Sequence, residues 1–177
     1  MSLRKCVAWL GMALVAVVAS VAIVPNFLPR SVFYRDRKPT RLGRFYVWST
    51  AAMAELGLPP PWSISLEVTG KRSGKVYSIP LVLADYDGEQ YLVSMMGNDV
   101  AWVRNVHASG GRAVLKHGGR RDVVLEDVPV EQRAPILRAY LQRALGGRPH
   151  FPIEWDAPLA EFERIAPDYP AFRVREA

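Results

Sequence analysis

Residues 63–96 read SISLEVTGKRSGKVYSIPLVLADYDGEQYLVSMM, and the period of this stretch decides the fold class. Ser63 to Thr69 alternates, with Ile64, Leu66 and Val68 on one face, which predicts a strand. Gly70 to Gly74 is a turn bounded by glycine at both ends. Lys75 to Ala84 resumes as a strand, in which Pro80 points to an edge position or a bulge. Asp87-Gly88 forms the centre of a hairpin turn over 85–89, and Gln90 to Met96 follows as a third strand. Connections this short cannot hold the crossover that a parallel pair needs, so the strands are antiparallel.

The flanks extend this pattern. Arg41 to Leu58 has apolar residues at 42, 45, 46, 48, 52, 53 and 56 and predicts a helix that stops at Gly57 and the prolines after it. Gly97-Asn98-Asp99 opens a loop, with Asp99 placed to cap a short helix from Val100 to Ala108. Arg112 to His117 and Arg120 to Val128 are two further strands joined at Gly118-Gly119. Pro129 to Leu145 is an amphipathic helix ended by Gly146-Gly147. Residues 148–168 are interrupted by prolines and yield no assignment, and Ala171 to Val174 forms a last strand. The sum is an antiparallel α+β domain or a small barrel.

Composition narrows the function classes. The 177 residues carry a net charge of +6, but residues 1–44 hold eight Lys/Arg against one acid, Asp36. Residues 45–177 therefore carry fifteen basic residues against sixteen acidic ones and give no electrostatic reason to seek nucleic acid. One cysteine, Cys6, excludes an intramolecular disulfide framework and a Cys-built zinc site. The three histidines, at 107, 117 and 150, lie far from any metal-ligand spacing, so no metal site is expected.

Val7 to Val24 runs for 18 residues without a charge. At 1.5 Å per residue, such a helix is about 27 Å long, close to the roughly 30 Å hydrocarbon core of a bilayer. Two readings fit: a transmembrane anchor over 1–24, or a signal peptide with Arg4 and Lys5 as its charged start and Ser20-Val21-Ala22 as its cleavage site. The length of the apolar run favours the anchor. Two basic residues precede the run and six lie among residues 30–44 after it, which places a single-pass protein's globular domain on the cytoplasmic side of the cell membrane. Residues 25–44 then form a basic juxtamembrane linker suited to lipid headgroups, and 45–177 form the globular domain.

Two stretches carry candidate chemistry. Thr69 to Lys75 gathers three cations, two hydroxyls and two glycines between strands, where backbone N–H groups and charge-assisted bonds can hold a phosphate or carboxylate. The plain alternative is a basic hairpin tip. Ser94 to Asn105 runs from a strand through a glycine-bearing loop into a helix start that offers Trp102, Arg104 and Asn105, a place for a phosphate or a polar ring edge. Its plain alternative is Trp102 in the core and Arg104 on the surface. Nucleophile-elbow, metalloprotease, P-loop and dinucleotide-binding signatures are absent from the sequence.

In this order and spacing, the pattern L-x-V-T-G-K-R-S-G (66–74), Pro80-Leu81, Asp87-Gly88 and Ala101-Trp102-Val103-Arg104-Asn105-Val106 resembles the deazaflavin-dependent nitroreductase family, relatives of the flavin-binding split barrels. The likeness runs from about Ser63 to Leu145. It implies a split β-barrel with flanking helices over 45–177, preceded by the N-terminal transmembrane helix. It also implies an oxidoreductase that passes a hydride from reduced 8-hydroxy-5-deazaflavin, coenzyme F420, to a quinone, a nitroaromatic or a similar acceptor. On that reading Lys71, Arg72, Ser73 and Lys75, with Gly74, bind the coenzyme's phosphodiester and oligoglutamate tail. The ring lies along the turn of Met95, Met96 and Gly97, near Pro80 of the shared motif, and Trp102 and Asn105 close the pocket. Many relatives carry a basic residue where this chain has Tyr77, and a lysine where it has Met96. Arg104 or Lys75 is placed to compensate.

A cofactor that carries the hydride fits a chain without a nucleophile, since the protein then has to orient it. Tyr77, Ser78 and Tyr140 are the candidates for binding the acceptor or supplying a proton. FMN is the second choice of cofactor, and dimers are common among split barrels, so a homodimer is expected by analogy. Two other functions compete: a non-catalytic module that holds deazaflavin, FMN or haem at the membrane, and a membrane scaffold whose basic turn touches lipid headgroups.

Overall fold

A computed structural model describes residues 40–58 and 60–177, together with Val32 and the backbone of 34–35 and 38–39. The anchor expected over 1–24, and most of the linker after it, lie outside the described residues. Among the described residues no helix is long and apolar enough to cross a membrane.

Two two-residue strands, β1 (Tyr34–Arg35) and β2 (Lys38–Pro39), pair antiparallel ahead of helix α1 (Arg41–Glu55). Thr40 starts that helix: its hydroxyl accepts from the Gly43 N–H at 3.0 Å, satisfying a donor that the first turn leaves unpaired. The hairpin region follows as β3 (Ser63–Thr69), β4 (Val76–Tyr86) and β5 (Glu89–Val93). Asp87 and Gly88 both take positive φ, 51° and 73°, the primed turn whose twist matches that of its strands. Helix α2 (Ala101–Ala108) leads into β6 (Arg112–Lys116) and β7 (Arg120–Asp127), and helix α3 (Val130–Arg143) covers the outside. Short 3-10 helices at Leu145–His150 and Ala166–Asp168 flank helix α4 (Leu159–Ile165), and β8 (Ala171–Glu176) ends the chain.

The strands close into a six-stranded antiparallel barrel in the order β3-β4-β5-β8-β7-β6. Alternation along each strand feeds two cores. Leu83, Leu92 and Phe172 join Ile64, Leu66 and Val68 in one cluster, into which α2 sends Trp102, Val103 and Val106. Their neighbours Ala84, Tyr91, Val93 and Ala171 join the other, packed under α3 and α4. Pro80 pairs across to Ser65, while β5 reaches only Leu83 to Tyr86, so Pro80 lies where β4 has a single partner strand.

Three local expectations are corrected. The third strand stops at Val93 and not at Met96, because the Ser94 hydroxyl donates to the Gly97 carbonyl at 2.7 Å and closes a turn there. Asp99 does not cap α2; the helix begins after Val100 with no side-chain cap, and Asp99 pairs with Arg104 instead. The unassigned 148–168 segment contains α4, held by the buried Phe162 and Ile165.

A groove between the basic turn and helix α2

The β3–β4 turn is tied to itself. The Gly70 N–H donates to the Lys75 carbonyl at 2.8 Å, the Gly74 N–H to the Gly70 carbonyl at 2.9 Å, and the Lys75 N–H to the Ser73 hydroxyl at 3.2 Å. The Tyr77 ring lies so close over Gly70 that a Cβ there would sit 2.5 Å from it, which is why this position is glycine. One bond reaches across to the helix: the Lys71 N–H donates to Asn105 Oδ1 at 3.1 Å.

That bond spans one side of a groove of about 1130 Å³. The turn supplies Gly70, Lys71, Arg72 and Ser73, β4 supplies Tyr77 and Ile79, and α2 supplies Trp102, His107 and the face formed by Ala101, Arg104, Asn105 and Ala108. Trp102 is buried beneath, its ring 5.4 Å from Phe172, so it serves both as core and as groove floor. The Ser73 hydroxyl and Tyr77 hydroxyl lie 3.1 Å apart. His107 Nε2 is 3.0 Å from Asp127 Oδ1, and its ring packs 5.6 Å from Phe172.

The two sequence stretches therefore meet, and Lys71, Arg72, Ser73, Tyr77, Trp102, Arg104 and Asn105 line one space. Gly74 and Lys75 belong to the same turn but not to the groove lining, and Lys75 is exposed. Pro80, Met96 and Gly97 lie outside the lining, and Met95 packs against the cluster under α3. Ser78 follows the pleat to the opposite face of β4 from Tyr77. It donates to Glu55 Oε1 at 3.0 Å, beside Ser65 at 2.6 Å, in a separate depression next to α1. Tyr140 does not line the groove: it is buried on the inner face of α3 against Phe151, and burial pushes its phenol well above the ordinary value. Sequence reasoning missed Ile79, Ala101, His107 and Ala108. The i, i+3, i+4, i+7 spacing of 101, 104, 105 and 108 was the available signal for the two alanines.

The groove offers an anion two cations beside an apolar floor. Lys71 and Arg72 are exposed and make no ion pair among the described residues, and the N–H groups of Arg72 and Ser73 take no protein partner there. The apolar floor of Ile79, Trp102, Ala101 and Ala108 sits beside them. Among the described residues no cluster of three or more His, Cys, Asp or Glu side chains forms a metal site.

No curated protein matches the chain. Similar solved structures include an F420-H2 dependent reductase, FDR-A, with 21% identity over 64% of this chain and 94% of that one at a TM-score of 0.44. Another is an F420 reductase with 15% identity over 71% and 92%, at a TM-score of 0.42. A third is HutZ, the haem storage protein from Vibrio cholerae, with 9% identity over 66% and 82%, at a TM-score of 0.45. The family described as F420H(2)-dependent quinone reductase matches residues 49–147, more than half of the chain and all of the groove. The chain belongs to that family: it is a deazaflavin-dependent oxidoreductase whose cofactor is coenzyme F420.

Proposed function

We propose that the protein is a membrane-anchored reductase that binds coenzyme F420 in this groove and reduces a lipophilic acceptor, a quinone before a nitroaromatic. The observation that carries the reading is a pair of cations without ion-pair partners among the described residues, Lys71 and Arg72, lining one groove with the Trp102 floor. Lys71, Arg72 and the free N–H groups of the turn hold the coenzyme's phosphodiester and acidic tail through charge-assisted bonds. Trp102, Ile79 and the two alanines of α2 exclude water from one face of the ring. When bound, the reduced cofactor supplies a hydride, and the acceptor becomes a hydroquinone once a proton follows.

Among Tyr77, Ser78 and Tyr140, only Tyr77 lines the groove, so its hydroxyl is the group that hydrogen-bonds the acceptor oxygen and holds a proton near it. Ser73 orients that hydroxyl. The apolar Val7–Val24 segment, as an anchor, holds the groove beside a membrane quinone at high effective concentration on the cytoplasmic side. A homodimer is compatible with this arrangement.

The test uses full-length protein in lipid vesicles, titrated with oxidised F420 and separately with FMN by tryptophan quenching, then supplied with reduced F420 and a menaquinone-type acceptor. F420 binding, with turnover of the vesicle-borne quinone that falls about tenfold or more in Tyr77→Phe, supports the reading; general acid catalysis typically contributes 10²–10⁴-fold. Selective FMN binding overturns the cofactor assignment to the groove. Equal turnover of a water-soluble nitroaromatic and the quinone removes the membrane quinone as the preferred acceptor.

A further inference from the structure

Helix α1 is built inside out. The residues it buries against the barrel are small: Gly43, Ala51 and Ala54. Three of its bulky apolar residues and its C-cap face solvent, with Leu42 49%, Phe45 60%, Trp48 66% and the capping Leu56 74% exposed, while Tyr46, Val47 and Met53 are half-buried. On a helical projection of about 100° per residue, the buried small residues share an arc of roughly 80° with the half-buried Val47, and Leu42, Phe45 and Trp48 lie on the other side. The Phe45 and Trp48 rings lie 6.0 Å apart and form the centre of an exposed apolar patch. A helix that turns its large hydrophobes outward gains nothing from water there, and such a patch marks a surface that is covered.

We propose that this face of α1 lies in the headgroup region of an anionic lipid bilayer, as an interfacial helix distinct from the segment that spans the membrane. Three observations choose lipid over a protein partner. Arg41 and Arg44 are exposed within and beside the apolar patch, in position to extend to phosphates while their stems lie along it. Arg30, Arg35, Arg37 and Lys38 precede them against a single acid, Asp36, so a second copy brings like charge to like charge while anionic lipid brings the opposite. The third observation is the tether. Only residues 25–40 separate the apolar Val7–Val24 run from α1, a span of at most roughly 60 Å. Trp48, Phe45 and Leu42 are the residue types found on the buried face of helices that lie in a membrane–water interface. Two attachments, one through Val7–Val24 and one through α1, fix the orientation of the barrel relative to the bilayer, which a single flexible tether does not.

The inference rests on the anchor reading for its second attachment, and the experiment separates the two. Full-length protein carrying Cys6→Ser and Phe45→Cys, labelled with an environment-sensitive fluorophore, is reconstituted into phosphatidylcholine vesicles with and without phosphatidylglycerol. A matched chain carries the label at Tyr86→Cys, on the exposed β4–β5 hairpin outside this face. Both positions are exposed, and circular dichroism confirms the fold of each. The expected result is nitroxide-lipid quenching at position 45 severalfold above that at 86, deeper with phosphatidylglycerol, and protection of position 45 from iodide. Iodide protection without lipid quenching means that protein covers the face and overturns the proposal. A label at 45 as open to iodide as the one at 86, on a chain that floats with vesicles, overturns the proposal and leaves the anchor standing. A chain that does not float overturns both.

Discussion

Both walls of the groove carry basic side chains, and they differ in what already holds them. On the turn, Lys71 and Arg72 have no acidic partner among the described residues, and the turn's shape is kept by its own backbone. On α2, Arg104 is paired with Asp99, and His107 lies 3.0 Å from Asp127. Charge on a groove wall attracts a ligand only to the extent that no neighbour has neutralised it. On the proposed reading the turn is the anion-binding wall, and the helix is a largely self-compensated one. Tyr77 fits this division: it brings no charge to the turn but lays an aromatic ring over Gly70 and ties its hydroxyl to Ser73.

The comparison breaks most visibly if the helix wall is undermined. Trp102→Ala removes a 9% exposed ring from the barrel cluster and its contact with Phe172. The expected loss is about 3–5 kcal/mol of stability, read by chemical denaturation, together with a loss of F420 binding. An unchanged midpoint would mean that Trp102 is a groove residue without a core role. Arg72→Ala is expected to leave stability unchanged and to weaken F420 binding about ten- to a hundredfold, from the roughly 1.5–3 kcal/mol of a charged hydrogen bond. A fall in the salt dependence of binding should accompany it. If Arg104→Ala weakens binding more than Arg72→Ala does, the assignment of the two walls is reversed.

How much of this was legible in the sequence follows from the range of the interactions. The β3–β4–β5 meander was, because an alternating period and an Asp-Gly turn act within a few residues. The role of β8 was not: AFRVRE is an ordinary short strand, and its closure of the barrel depends on pairing with β5 and β7 from distant parts of the chain. Helix α1 was legible as a helix but not in its orientation. Periodicity finds the apolar face and assigns it to the core, whereas the barrel takes Gly43, Ala51 and Ala54, whose lack of bulk permits close packing. In the site, the turn and the Trp102 helix were visible as motifs. Which of three hydroxyl residues faces the groove was settled by the pleat, which sends Ser78 away from Tyr77, and by the packing of α3, which buries Tyr140.

A smaller effect sharpens the link between the walls. Asn105→Ala removes the side-chain oxygen on the helix that accepts from the Lys71 N–H. The exposed turn then keeps its internal bonds but loses its register against the floor. An intramolecular hydrogen bond of about 1 kcal/mol corresponds to roughly fivefold weaker F420 binding, and Asn105→Asp, which keeps the acceptor, restores the bond while adding a negative charge. Binding by Asn105→Ala as tight as by the unsubstituted protein would show that this bond does not position the turn for F420.

The smallest effect has the opposite sign and tests the division of the walls most directly. Asp99 neutralises Arg104, and both side chains are largely exposed, so their pairing contributes about 0–1 kcal/mol. Asp99→Asn frees the guanidinium toward the groove and removes one negative charge from its rim without touching the turn. F420 binding should therefore tighten by about two- to threefold at low salt, with a steeper salt dependence, and the gain should vanish in Asp99→Asn/Arg104→Ala. The same substitution should not rescue Arg72→Ala, because Arg104 stands on the opposite wall and the two cations act on different parts of the polyanion. Full rescue would mean that the groove counts total positive charge, and that the contrast between a free wall and a compensated one has no bearing on what it binds.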